Sequence, residues 1–217
     1  MTNEQIILKT RDFIESRLAG DSSGHDWLHI ERVWKLAQTL AKAEGANPDI
    51  AQLGALLHDV ADWKFYDGDD SEGPRQARQW LESLNAPEEL TRQVCDIVAG
   101  VSYKGAGTET PMTTLEGKVV QDADRLDAIG AIGIARAFAY GGAHDRLIFD
   151  PAEAPQMHSN FEEYKKNKGH TINHFHEKLL LLKDRMLTET GTRMAAERHR
   201  FMEIYLEQFH EEWDGQR

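Results

Sequence analysis

An all-α fold is what this sequence predicts, and three observations carry the prediction. Nearly every long segment repeats its apolar residues at helical spacing. No clear run of alternating β-branched residues, the mark of a half-buried strand, interrupts the 217 residues. Residues suited to opening a helix (Thr2, Asn47-Pro48, Pro74, Pro87) stand ahead of the periodic segments, and Gly45 stands behind one.

Taken in order, Thr2 caps a first helix that reaches about Leu18, with Ile6, Ile7, Phe13, Ile14 and Leu18 apolar. Gly20-Asp-Ser-Ser-Gly24 is a break. A second helix runs from about Asp26 to Glu44 and stops at Gly45. The third opens at Asn47-Pro48-Asp49 and continues through Gly54-Ala-Leu-Leu-His-Asp-Val-Ala-Asp62. Asp67 to Gly73 is a polar loop. Pro74 starts a fourth helix ending near Asn85, and Pro87 a fifth to about Ala99. Gly100 to Pro111 is a loop. Helix returns from about Thr114 to Tyr140, with a bend expected near Gly130 or Gly133. Gly141 to Asn160 holds two prolines and reads as an irregular lid or wrap-around segment. A long helix follows from about Phe161 or Thr171 to Leu187, and a last one from Thr192 to Trp213. No internal repeat and no low-complexity segment divides the chain.

The composition, 40% hydrophobic and 29% charged, is that of a soluble globular protein. No apolar run approaches the roughly 20 residues of a membrane span. Met1-Thr-Asn-Glu-Gln5 lacks the basic and apolar regions of a signal peptide, so a cytoplasmic setting is expected. The one cysteine, Cys95, excludes an internal disulfide and a Cys-rich zinc site. A formal net charge of −12 opposes binding to nucleic acid or to an anionic membrane. It leaves room for a small anionic substrate, because a bound cation reverses the local field.

The chemistry-bearing residues fall in three clusters. Read as one helix, Leu53, Leu56, Leu57 and Val60 form a core stripe, and His58, Asp59 and Asp62 collect opposite it beside Ala51 and Ala55. Small neighbours let another helix close over that polar side. Two covered carboxylates and an imidazole then call for a cation, because a buried unpaired charge is very costly. In the second helix His29 shares a stripe with Val33, Leu36 and Leu40 and points inward; alone it reads as a core histidine bonded to a carbonyl. His25, one turn earlier, either supports it or is exposed. The third cluster is Gln121-Asp-Ala-Asp-Arg-Leu-Asp-Ala128. There Asp124 and Asp127 lie on a stripe with Val120 and Ala131, in a helix apolar nearly all round. Arg125 either neutralises a neighbouring acid or meets phosphate. Two His and two Asp from three helices suit a divalent ion with water in its open positions, which is a catalytic rather than a structural arrangement.

The order His29, His58-Asp59, Asp124 resembles the HD superfamily of metal-dependent phosphohydrolases. Arg32-Val33 after the first His and Arg125-Leu126 after the last Asp strengthen the match. The chain is most similar to the small HD-type hydrolases. Those carry His-Asp-x-x-His-x-x-Arg-Val, found here from His25, and His-Asp-x-x-Asp-x-Lys, found from His58 to Lys64. A late His-Phe-x-x-Lys-Leu-Leu lies from His174 to Leu180. The resemblance covers about Gly24 to Trp213. It implies a single all-α HD-type domain over residues 1–217, with the metal core at about 24–140 and the C-terminal helices at about 161–213 packed on it. It implies His29, His58, Asp59 and Asp124 as ligands of a divalent metal, often manganese, with Mg, Co, Ni, Fe or Zn as alternatives. Asp62 matches an acidic position near the metal-bound water, and Lys64 a basic position that binds phosphate. Some members of the subgroup are nucleoside triphosphate pyrophosphohydrolases. The Gly-Tyr-Pro signature of the cyclic-dinucleotide branch is absent.

The expectation is therefore a metal-dependent phosphohydrolase acting on a nucleotide, a nucleoside triphosphate cleaved to monophosphate and pyrophosphate. Asp62 and Lys64 are the catalytic pair, and His25, Lys104 and Arg125 the substrate contacts. Phosphatase action on a nucleoside monophosphate is the alternative enzyme reading, and a metal-binding scaffold without turnover the rival from another class. A DNA-binding regulator fits neither the charge nor the absence of a basic recognition helix. Ser102 and Tyr103 read first as a solvated loop, His170 and His174 as packing rather than a surface metal site, and Trp27, Trp34, Trp63 and Trp80 as helix packing. Glu203, Glu207, Glu211 and Glu212 read as a solvated face.

Overall fold

A computed structural model describes residues 1–18, 26–61, 71–102, 110–157 and 169–217. They are helical for the most part, with no strand among the described residues. The first helix, α1 (Asn3–Arg17), opens with a reciprocal cap: Thr2 Oγ1 accepts from the Gln5 N–H, and Gln5 Oε1 accepts from the Thr2 N–H. Asp26 caps α2 (Trp27–Glu44), which ends at Gly45 with φ 74°. Asn47 accepts from the Asp49 and Ile50 amides at the start of α3 (Pro48–Leu57). Then come α4 (Glu72–Ser83), α5 (Glu88–Gly100), α6 (Leu115–Asp127) and α7 (Gly130–Ala143). The chain closes with α8 (Thr171–Glu177), a 3₁₀ helix (Leu179–Arg185) and α9 (Glu189–Trp213). None of the described helices is long and apolar enough to cross a membrane.

Two compact units are distinguished, one running through α1–α5 and α6 as far as Asp124, the other starting at Arg125. In the first, α3 is central and packs against α1, α2 and α5. Ile50, Ala51, Leu53, Gly54, Ala55, Leu56 and Leu57 are all buried, the signature of a helix enclosed on every side. Gly54 permits a close approach: a Cβ there would stand 3.2 Å from methyl carbons of Ile97 and Val120. Trp80 stacks on Phe13 with ring centroids 3.9 Å apart and donates to Thr10 Oγ1, while Trp34 donates to Gln52. Both are packing residues, as expected; Trp63 lies outside the described residues.

In the second unit α7 packs against α9, and Phe175 is fully buried beside Phe138 and Tyr205. The Leu147 and Ile148 carbonyls accept from the amides of Thr171 and Ile172. Gln156 N–H donates to Glu177, so the irregular stretch 144–157 is strapped to α8. His170 caps α8 by accepting from Asn173 N–H at Nδ1, and its Nε2 meets the Glu153 carbonyl. Both ring nitrogens are thereby committed to the backbone, in line with the packing reading.

Three boundaries differ from the sequence reading. The helix expected over 114–140 is two helices. The amides of Ala128 and Ile129 reach only three residues back, to Arg125 and Leu126, which tightens and ends α6. Gly130 then takes φ 76°, open to glycine at little cost, and is the first residue of α7. The helix expected to reach Leu187 stops at Glu177. Beyond it the leucine run winds as 3₁₀, which stacks Leu179 and Leu182 on one buried side at three residues per turn; residues 161–168 lie outside the described part. Most relevant to function, α3 ends at Leu57, short of the expected continuation through Asp62.

Candidate metal centre

Three helix ends supply the centre. Asp26 Oδ1 accepts from the His29 N–H at 2.8 Å, which fixes the first turn of α2 and sets His29 on the buried stripe with Ile30, Val33, Ala37 and Leu40. His58 follows the last residue of α3 in helical conformation, and the Val60 amide bonds the Leu57 carbonyl at 3.0 Å, so His58 and Asp59 sit in a closing turn. The helical face expected for His58 and Asp59 is thus replaced by this turn. Asp124 lies in the last turn of α6, behind the fully buried Val119, Val120 and Ala123. One turn earlier Gln121 Nε2 donates to the carbonyls of Gly100 and Val101, satisfying the end of α5 and holding α6 against it.

The four side chains converge. His29 Nε2 lies 3.5 Å from Asp59 Oδ2 and 3.6 Å from Asp124 Oδ1. His58 Nε2 lies 3.5 Å and 3.7 Å from the same two oxygens. The imidazoles meet edge to face, with centroids 5.3 Å apart. Both histidines are buried, whereas the Asp59 and Asp124 side chains keep 13% and 28% of their surface exposed, so solvent reaches the centre from the carboxylate side.

These distances fit a shared cation. Atoms bound at about 2.1 Å stand roughly 3.0 Å apart at right angles and 4.2 Å apart when opposite, and 3.5–3.7 Å falls between. His58 is already oriented as a ligand: its Nδ1–H donates to the Ala55 carbonyl at 2.8 Å, which turns Nε2 to the centre. That Nε2 is buried and has no hydrogen-bond partner. Burial would lower the His58 pKa, but Asp59 and Asp124 outweigh it and lift it to about 9. Burial would raise that of Asp124, and the imidazoles of His58 and His29 pull it below the usual value. A divalent ion in place of the proton satisfies the same carboxylates.

His29, His58, Asp59 and Asp124 are therefore brought together as the sequence suggested. Asp127 is not among them; its carboxylate pairs with Arg136 at 2.7 Å. Arg125, one of the expected substrate contacts, is buried, and its Nη1 donates to the Arg185 carbonyl. Asp62, Lys64, His25 and Lys104 lie outside the described residues. The sequence reading placed Asp26 at the start of a helix and Gln121 in the third cluster but gave neither a part in holding the centre. An Asp three residues ahead of an inward-facing His, and an amide on a helix apolar nearly all round, were the available signals.

The model of the HD domain family matches residues 27–129, the span that carries all four residues. The protein YpgQ of Bacillus subtilis is 35% identical over 207 residues, covering 94% of this chain and 92% of its own. A crystal structure of YpgQ in complex with ADP aligns with a TM-score of 0.74, covering 97% of each chain. A protein from Lactobacillus plantarum aligns at 39% identity with a TM-score of 0.87, over 99% of this chain and 100% of that one. An HD-superfamily hydrolase from Bacillus thuringiensis aligns at 44% identity and a TM-score of 0.77, over 98% and 99%. Two buried histidines and two part-exposed aspartates suited to a divalent ion, on a helical fold with these relatives, make this protein a member of the HD superfamily of metal-dependent phosphohydrolases.

Proposed function

We propose that this chain, acting as one HD-type domain, hydrolyses nucleoside triphosphates to the monophosphate and pyrophosphate. His29, His58, Asp59 and Asp124 would hold one divalent ion, manganese first among the candidates. The observation that carries the reading is that each of two buried imidazole nitrogens stands 3.5–3.7 Å from both carboxylate oxygens. The nucleotide is supported by the crystal structure of YpgQ in complex with ADP. A bound divalent ion supplies a Lewis acid for a phosphoryl oxygen and a more acidic water. Asp62 accepts the proton of the attacking water and Asp59 stays a ligand. Lys64 and Lys104 neutralise charge that builds on the phosphate oxygens, and His25 lines the approach. Arg125, tied to a backbone carbonyl, steadies the end of α6 beside Asp124 rather than touching phosphate.

The test is turnover of a panel of nucleoside tri-, di- and monophosphates by EDTA-treated protein, with and without added Mn²⁺, and products resolved by anion exchange. Monophosphate and pyrophosphate from the triphosphates is the expected outcome. Free phosphate released chiefly from monophosphates would replace it with the phosphatase reading. Metal uptake without turnover of any member would leave a binding protein.

A further inference from the structure

A groove of about 520 Å³ opens between α1 and α4, inside the first unit. Pockets for small molecules run from roughly 300 to 1,000 Å³. Helical spacing builds its α1 side: Lys9, Phe13 and Arg17 stand at i, i+4 and i+8, with Asp12 and Ser16 on the same face. From α4 come Trp80 and, one turn on, Leu84. Trp80 stacks on Phe13 and donates to Thr10 Oγ1 at 2.9 Å, which ties the two helices together here. Both rings remain only half-buried, so aromatic surface lies open between charged ends. Those charges are unequal. Arg11 meets Asp12 Oδ1 at 2.6 Å and neutralises the acid. Arg17 is fixed in place: its guanidinium donates to Gln76 Oε1 at 2.6 Å and lies over the Phe13 ring, 5.9 Å from its centroid. At the other end the exposed Lys9 ammonium meets no acceptor among the described residues. Two cations beside one paired acid are a local exception in a chain of −12.

We propose that this groove binds a small planar aromatic anion, a flat ring carrying one phosphate or carboxylate group. The ring lies against the open surface of Phe13 and Trp80, which thereby do more than pack the helices. The acid group meets Lys9, one turn or about 6 Å from Phe13 along α1. A lysine serves there as a point charge on a flexible stem and reaches the acid group of a ligand already seated on the rings. Arg17, held by Gln76, closes the opposite end as a second, rigid cation. A neutral ring would leave both cations facing an apolar surface, and a bare anion would leave the rings in water. The ligand class that satisfies the groove therefore has both parts. None of the metal-centre residues lines it, so the site is separate from the proposed reaction.

The Trp80 indole reports on the groove directly. Nitrogen–proton correlation spectra of the EDTA-treated full chain resolve the indole N–H groups, and Trp80→Phe identifies the one that belongs to Trp80. Titration with adenosine monophosphate, and separately with naphthoate, should move that signal to saturation with a Kd on the order of 100 µM. Saturation by either supports the proposal, and the tighter of the two identifies the acid group. Adenosine and inorganic phosphate each hold half of the ligand and should bind at least about tenfold more weakly. Lys9→Glu should weaken binding about tenfold, with an unchanged thermal melt because the residue is exposed. Lys9→Arg keeps the charge and should bind within about threefold of the wild type. His58→Ala, which empties the metal centre, should leave this binding as it is, so a failure here is told apart from a failure of the proposed reaction. A Trp80 signal that stays put up to about 10 mM ligand would overturn the proposal. Adenosine binding as tightly as its monophosphate, or binding indifferent to Lys9→Glu, would overturn it as well.

Discussion

The metal-free protein should lose stability as the pH rises between 6.5 and about 9, and His58 sets the size of the loss. Burial opposes its protonation, but Asp59, Asp124 and the Ala55 carbonyl more than compensate. Its folded pKa therefore lies above its unfolded one. Protonated His58 contributes its full stabilisation below pH 6.5, and that contribution is lost as the pH rises through about 9. At 1.36 kcal/mol per unit the shift corresponds to about 3 kcal/mol, or roughly 6–12 °C in a chain of this length. Thermal melts of EDTA-treated protein across this window read it directly. His58→Gln serves as the reference, since it keeps the volume and removes the titration. If the difference between the two proteins is flat with pH, the electrostatic account of the site is wrong. A bound divalent ion competes with the same proton, so the metal-loaded wild type should melt nearly independently of pH here. Metal uptake near neutral pH should release about one proton per site. Calorimetry in buffers of different ionisation enthalpy counts it, and His58→Ala should retain no metal by elemental analysis.

Asp62→Asn should keep the metal and lose about 10²–10⁴-fold in rate, the usual worth of general-base help; wild-type turnover at normal metal content would remove Asp62 from catalysis. Lys64→Met should lower kcat/KM for a nucleoside triphosphate with metal content unchanged, and a change under about twofold would make it a surface lysine. Gly54→Val forces carbon against Ile97 and Val120, where only 3.2 Å is free, and should cost about 1–3 kcal/mol in a denaturant titration. His174 has its pKa lowered from 6.5 to about 3, by burial first and then by Lys178 and Arg146. Its stabilisation is present above pH 6.5 and lost as the pH falls towards 3, so His174→Leu should flatten the acid limb of a stability–pH curve.

The parts of the fold that were legible in the sequence are those fixed by local chemistry. Asp26 and Gly45 bracket α2 because a side-chain acceptor and a left-handed residue can each be read from type alone. The end of α3 was not legible. Leu53, Leu56, Leu57 and Val60 keep helical spacing through a turn whose first residue, His58, is still helical, so periodicity runs on after the i−4 bonding has stopped. The four ligand candidates survived this error because His58 and Asp59 are adjacent and travel together. Arg125 was ambiguous for a different reason. A guanidinium beside a phosphohydrolase carboxylate suggests phosphate, and nothing local signals a carbonyl sixty residues away at Arg185.

The charge of the centre also bears on how a nucleotide is drawn in. Two carboxylates and two neutral imidazoles around a divalent ion sum to zero, so the loaded site exerts little long-range pull on an anion. The whole chain, at −12, repels one. Arg125 is turned to a backbone carbonyl, and Arg136 is paired with Asp127. Neither is placed to supply the missing attraction. Under the proposed function that task falls to Lys64 and Lys104, or to a second cation that arrives with the phosphates. A lysine suits it better than an arginine would, since a compact charge on a flexible stem can follow a phosphate chain whose geometry changes as it is cleaved.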